Sequence, residues 1–321
     1  MSDTSKIHKR KRSLQDSPVD LSQMQLARRQ VERLRQELEG IEETEKEMKE
    51  IMTHIDKLER ILTQSKKQKY SFSSLGRKEM VLMGIKRGSL CFNKSITPII
   101  DPEHLDRLCM EVNRIYRHVS MKTGARMMLD QILLTIADII CRENPSYFAA
   151  ILPELRLAVG DGVMIKNNQT QTEFWLTGNT DYGICTFTDA ETREIIFTGA
   201  LADILPFLVG QLVLIETKKE VETLMDYLPE ATGQAIVMSE ATQGSVRFCL
   251  SNGQQWMFCL YNKTERVVYF SSVITLGQPL SNQKLQNLVD LIYHLITDTA
   301  DLLQNPLYTL TLFPEHLALL W

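Results

Sequence analysis

Long apolar runs are missing from this sequence. No stretch of eighteen or more apolar residues occurs in its 321 positions, so no membrane-spanning helix is expected. The first residues are polar and basic, which speaks against a secretory signal there. Six cysteines (Cys91, Cys109, Cys141, Cys185, Cys249 and Cys259) are scattered, with neither CxxC nor metal-finger spacing. Most sit in apolar stretches such as Phe248-Cys249-Leu250, and they read as buried thiols in a reducing compartment. The six histidines form no HExxH motif and no His/Cys cluster, which argues against zinc. Val159-Gly160-Asp161-Gly162-Val163 lacks the lysine and the following helix of a phosphate loop. A general excess of positive charge is also lacking: the net charge of −4 argues against a protein that coats nucleic acid with its whole surface.

What is present suits a globular chain, 44% hydrophobic and 24% charged. Basic clusters crowd the first quarter: Lys9 to Arg12, Lys66-Lys67-Gln68-Lys69, Arg77-Lys78 and Lys86-Arg87. A local basic face binds phosphate whatever the overall charge. Residues 1–20 read as a disordered tail in which Lys6 to Arg12 is a nuclear-import signal or a phosphate-binding tail, or else an ordinary solubilising run. Residues 21–64 read as one long helix. Met24, Ala27, Val31, Leu34, Leu38 and Ile41 recur by three and four, a heptad seam. Met48, Ile51, Ile55, Leu58 and Leu62 resume it after a skip of three, with Glu45 in a seam position. A dimerising two-stranded coiled coil is expected; the alternative is a helix packed on its own body or standing single. A leucine-zipper transcription factor fails on spacing, because Pro18 and Asp20 separate the basic run from the seam.

Residues 65–101 read as a basic connector containing an apolar piece, Met80 to Met83. Two helices follow. One starts at Pro102 with Leu105, Leu108, Val112 and Ile115 inward; the other runs from Ala125 to Cys141 and stops at Asn144-Pro145. The period then changes to two. Thr172 to Thr177 and Asp181 to Phe187 read as a hairpin turning at Gly178-Asn179-Thr180, and Glu194 to Phe197 as a further strand. A helix at 200–209 precedes the unbroken apolar run Leu212 to Ile215, a strand buried on both faces. Beyond it come a helix from Pro229 to Ala241, strands Val246 to Leu250, Gln255 to Tyr261 and Val267 to Ser272, and a helix from Asn282 to Leu303. Trp175 and Trp256 lie on strands and read as core, although aromatics beside a basic groove can stack on bases.

One segment carries chemistry. Leu212-Val213-Leu214-Ile215 ends abruptly in Glu216-Thr217-Lys218-Lys219. Strand side chains alternate, so Glu216 and Lys218 share a face at the end of a buried strand. Burying either charge alone is costly, which puts both in a cleft with partners. Asp181 supplies a second carboxylate if its strand is the neighbour. Two carboxylates, a main-chain carbonyl and waters form the hard oxygen set that Mg²⁺ takes. The bland alternative is a turn-forming Asp181 and a salt-bridged strand end; Glu47-Met48-Lys49 repeats the tripeptide on a solvated helix face.

This order, an Asp and then an apolar strand ending Glu-x-Lys, resembles the PD-(D/E)XK superfamily of restriction-endonuclease-like nucleases, and is similar to its uncharacterised members from fungal genomes. The resemblance spans residues 123–262. It implies an α/β core, a mixed sheet flanked by helices, within a domain at 102–303, preceded by the long coiled-coil helix and followed by a tail at 304–321. It implies Asp181, Glu216 and the Thr217 carbonyl as ligands of Mg²⁺ (or Mn²⁺), Lys218 as the catalytic lysine, and Gln234 as a substrate or water contact. Thr180 stands where the family motif has proline. Many members carry a glutamate on the first core helix, where this chain has Lys122-Thr123-Gly124-Ala125-Arg126, with no acid; Glu154 is the residue that would contribute one from another direction. The expectation is a DNA-hydrolysing phosphodiesterase, dimeric and nuclear, otherwise cytoplasmic. The rival is a nuclease-like fold that binds nucleic acid or assembles without turnover.

Overall fold

Asp101 and Ser281 begin two helices that cover one face of a sheet. In the computed structural model the Asp101 carboxylate accepts from the His104 backbone N–H at 3.0 Å, with Pro102 opening the first turn, and the Ser281 hydroxyl accepts from the Lys284 N–H at 3.2 Å. The structure describes residues 31–32, 51–53, 55–56, 68–93, 98–119, 121–198, 213–217, 223–298, 302–314 and 321. The chain divides into two units, Met1–Lys67 and Gln68–Trp321. The described residues of the first unit are helical. The basic tail, most of the expected coiled coil and the expected helix at 200–209 lie outside the described residues.

The second unit runs β1 (Gln68–Ser71), α1 (Arg77–Leu82), β2 (Lys86–Phe92), α2 (Pro102–His118), α3 (Met121–Glu143), β3 (Phe148–Lys166), β4 (Glu173–Phe187), α4 (Ala190–Thr198), β5 (Val213–Thr217), α5 (Leu228–Thr242), β6 (Val246–Ser251), β7 (Gln255–Asn262), β8 (Val267–Phe270), β9 (Ile274–Thr275), α6 (Asn282–Thr297) and β10 (Tyr308–Leu312). Among the described residues ten strands form one mixed sheet, ordered β1-β4-β5-β6-β7-β8-β2-β10, with β3 along the other edge of β4 and β9 on β7. The chain is thus α/β, a large mixed sheet flanked by helices. No helix among the described residues is long and apolar enough to cross a membrane.

Each face of the sheet has its own core. Leu108 and Val112 of α2, Ile132 and Ile136 of α3, and Leu288 and Ile292 of α6 pack on Tyr182, Ile184, Val213, Ile215 and Phe258. On the other face Ala231, Ala235 and Ile236 of α5 join Phe72, Met80, Cys185, Phe248, Leu250 and Met257. Residues of β6 and β7 alternate between the two cores, so these central strands are buried on both faces. All six cysteines are free thiols; Cys109, Cys185, Cys249 and Cys259 are buried as expected, whereas Cys91 and Cys141 are exposed.

Four expectations are corrected. The hairpin turn at Gly178 to Thr180 does not form, because β4 runs unbroken from Glu173 to Phe187. Gly178 has φ +142°, and the register with β3 shifts between Arg156 and Ala158 and again between Ala158 and Val163. These bulges exchange the faces of the strand: Phe174 and Leu176 join the core under α5, yet Tyr182 and Ile184 join the opposite one. Residues an even number apart share a face in a regular strand, so the extra residues of β3 and the left-handed glycine re-aim the second half of β4. Glu194 to Phe197 is part of helix α4 rather than a strand; the Asp189 carboxylate accepts from the Thr192 N–H at 2.6 Å and starts the turn. The stretch read as a connector is folded from Gln68 onward, with Met80 and Met83 fully buried at α1. The stretch read as a tail contributes β10, which pairs antiparallel with β2. Both partners lie far away in sequence, and short-range patterns do not register such pairing.

Candidate functional site

β4 and β5 are antiparallel neighbours, paired at Tyr182–Ile215, Gly183–Leu214 and Ile184–Val213. Asp181 and Glu216 are the next residues along, where both strands leave the core. Glu216 is 7% exposed, and its Oε2 accepts a 2.7 Å hydrogen bond from Gln234 Nε2. The same nitrogen lies 3.2 Å from the carbonyl oxygen of Asn179, so Gln234 on α5 ties the end of β5 to β4. The Asp181 carboxylate meets β5 from the other side. Its Oδ2 accepts from the Thr217 backbone N–H at 2.8 Å and from the Thr217 hydroxyl. The buried Thr180 hydroxyl donates to the Ile215 carbonyl at 3.4 Å. The structure therefore brings Asp181, Glu216, Thr217 and Gln234 to one end of the β4–β5 pair. Lys218 lies outside the described residues.

Three further residues complete the arrangement. Arg126 of α3 donates to Asp181 Oδ1 and, at 2.8 Å, to Glu154 Oε1. Glu154 sits across from Asp181, between the Pro153–Tyr182 and Leu155–Thr180 rungs, with a left-handed φ of 51°. Partial burial opposes the charge on Arg126, but the facing Asp181 and Glu154 carboxylates outweigh it and hold the guanidinium above its ordinary value. One turn further along α3, Asp130 accepts from the Tyr182 hydroxyl at 2.8 Å; burial first, then this acceptor, pushes the phenol far up. In the sequence Arg126 and Asp130 carry the four-residue spacing of one helix face, but nothing local says which strand that face meets. Trp256 is fully buried, as a core residue should be, whereas Trp175 is only half-buried.

The donor set has the chemistry of a hard divalent cation: carboxylate oxygens of Asp181 and Glu216, with the carbonyl of Thr217 between them in sequence. Among the described residues no three His, Cys, Asp or Glu side chains cluster as metal ligands. The charge beside Asp181 Oδ1 is now supplied by Arg126, whose side chain is 48% exposed. A pair so open to solvent contributes about 0–1 kcal/mol. An ion held by two carboxylates can displace it, and Arg126 has solvent to turn into. Asp181 is held by Arg126 of α3 and Glu216 by Gln234 of α5, helices that cover opposite faces of the sheet, so a shared ion requires both that Arg126 withdraws and that the two carboxylates turn toward each other.

No protein-family model matches the chain, and no curated protein matches it significantly.

Proposed function

We propose that the chain is a restriction-endonuclease-like phosphodiesterase that hydrolyses DNA. What supports this reading is one observation: the Glu216–Gln234 and Asp181–Thr217 hydrogen bonds gather four residues from three elements at the open end of a buried strand. Asp181, Glu216 and the Thr217 carbonyl would hold Mg²⁺ or Mn²⁺, which when bound polarises the phosphodiester and lowers the pKa of a water. Lys218, two residues beyond Glu216, is the group assigned to orient the attacking water and to stabilise charge developing on phosphate. Gln234, itself 1% exposed, fixes the Glu216 carboxylate, and is the residue assigned to meet the substrate or its water. Thr217 holds Asp181 through two donors, so that carboxylate is oriented before any ligand arrives. In the same proposal residues 21–64 form the dimerising coiled coil and Lys6 to Arg12 directs the protein to the nucleus.

Arg126 favours a second reading. It gives Asp181 and Glu154 a permanent counter-ion on the helix where related nucleases carry an acid. A chain so neutralised can bind nucleic acid or assemble on it without turnover. The deciding experiment incubates the purified protein with circular and linear DNA in Mg²⁺, Mn²⁺ or EDTA, beside Lys218→Ala. The nuclease reading expects cleavage with metal, none in EDTA, and a loss of about 10²-fold or more in the variant. DNA bound but uncut in both metals establishes the second reading.

A further inference from the structure

Away from the carboxylates, Arg77, Arg87, Met225, Leu228 and Trp321 line a cavity of about 320 Å³. Arg77 at the start of α1 pairs with Asp226 at 3.0 Å, with both side chains more than half exposed. Arg87 of β2 differs. Its guanidinium carbon lies 5.9 Å from the centre of the Phe270 ring and 5.8 Å from that of Trp321. Its Nε is buried without a hydrogen-bond partner. Burial, then the charge of Arg77, pulls the guanidinium below its ordinary value, and no described carboxylate offsets them. The two rings are themselves fixed. Trp321 donates its indole N–H to the Ile85 carbonyl at 2.8 Å, and Phe270 meets Phe313 edge to face at 5.9 Å between centroids. Folded proteins pair the buried donors of an arginine. Here an arginine held between two rings, one of its donors orphaned, lines a cavity beside a second cation whose own partner is exposed. Planar guanidinium donors match a phosphate's oxygens two at a time.

We propose that this cavity is a phosphate-binding site, occupied by the phosphate of a nucleotide or of a polynucleotide end. Arg87 supplies a bidentate contact through its two terminal nitrogens, its Nε being buried. Arg77 is released from Asp226 to close on the anion, and the volume leaves space for a sugar against Met225 and Leu228. The site stands apart from the carboxylates of Asp181 and Glu216, although α5 serves both, since Leu228 and Gln234 are about 9 Å apart along the helix axis.

The test is calorimetric titration of the full-length protein with sodium pyrophosphate in EDTA, against sodium chloride at matched ionic strength. Saturable binding to the wild type is expected. It should weaken at least tenfold in Arg87→Gln, weaken by a smaller factor in Arg77→Gln, and persist in Asp181→Asn. Absence of saturable binding overturns the proposal, and so does a folded Arg87→Gln that binds like the wild type. Should Arg87→Gln fail to fold, the exposed Arg77 decides, and unchanged affinity in Arg77→Gln overturns it. Competition then names the source. Displacement by a nucleoside monophosphate but not by an oligonucleotide identifies a free nucleotide; displacement by a 5′-phosphorylated oligonucleotide, with none by its 5′-hydroxyl counterpart, identifies a strand end.

Discussion

Arg126 stands between two carboxylates, Asp181 and Glu154, that face each other across neighbouring strands. Its effect on stability is small because it is half exposed, but its effect on cation binding follows from charge and is larger. Replacing it by Gln leaves the two carboxylates to repel each other, at a cost of about 1 kcal/mol without metal. Added Mg²⁺ should then raise the melting temperature of Arg126→Gln more than that of the wild type, since an ion that binds only the folded chain stabilises it by mass action. Arg126→Glu takes the comparison further: it puts a carboxylate on the helix where the nuclease resemblance has one. Its apo form should melt lower than Arg126→Gln, and its gain from Mg²⁺ should be the greatest of the three. Equal gains in all three proteins would mean that Arg126 and the metal do not compete.

At the scale of elements, the bulged pair β3–β4 sets the direction in which Asp181 points. Gly178 is the critical position. A Cβ there would lie 2.6 Å from Phe72 Cδ2, and its φ of +142° is one that side chains rarely accept. Gly178→Ala should therefore cost at least about 1–3 kcal/mol, read as a lower urea midpoint, and should weaken the Asp181–Thr217 contact along with the strand. The sequence shows why this was hard to see. Gly178-Asn179-Thr180 has the composition of a turn, and only the presence of β3 on both sides of it makes it a bulge. β5 was legible because Val213 to Ile215 is apolar without alternation, and the helices because their inward residues keep the helical period. Glu216, Thr217 and Gln234 were legible through the motif. Glu154 is legible as a substitute acid but not as the partner of Arg126, and the roles of Arg126 and Asp130 are not legible, since they depend on α3 and β3 crossing the end of β4, which no local spacing encodes. β1, β2 and β10 escape a local reading for a related reason: each is defined by a partner far along the chain.

For the whole molecule, the division at Lys67 has a direct consequence. Both cores belong to the second unit, so a shortened chain beginning at Gln68 should fold with its α/β spectrum intact. If residues 21–64 form a coiled coil, the full chain should be a dimer by light scattering and the shortened one a monomer; a monomeric full chain would remove the coiled coil from the proposal. Stability should also fall at high pH. Burial pushes Tyr261 up to about 12, and burial with the nearby Glu265 carboxylate pushes Tyr269 to about 12, from an ordinary 10. Between those values the unfolded chain ionises and the folded chain does not, so the stabilisation present below pH 10 is lost as pH rises toward 12. Melting temperature against pH checks this, and tyrosinate absorbance should show these phenols ionising only on unfolding. The place of β2 bears on how the protein is made. It lies between β8, at Val267–Phe270, and β10, at Tyr308–Leu312. A strand finished within the first hundred residues therefore waits for both its neighbours until most of the chain has left the ribosome. Loop-closure cost makes such distant pairing slow. Until then Leu90 and Phe92 lack the strands that flank them in the fold, which makes this edge the part of the sheet most open to wrong pairing during synthesis.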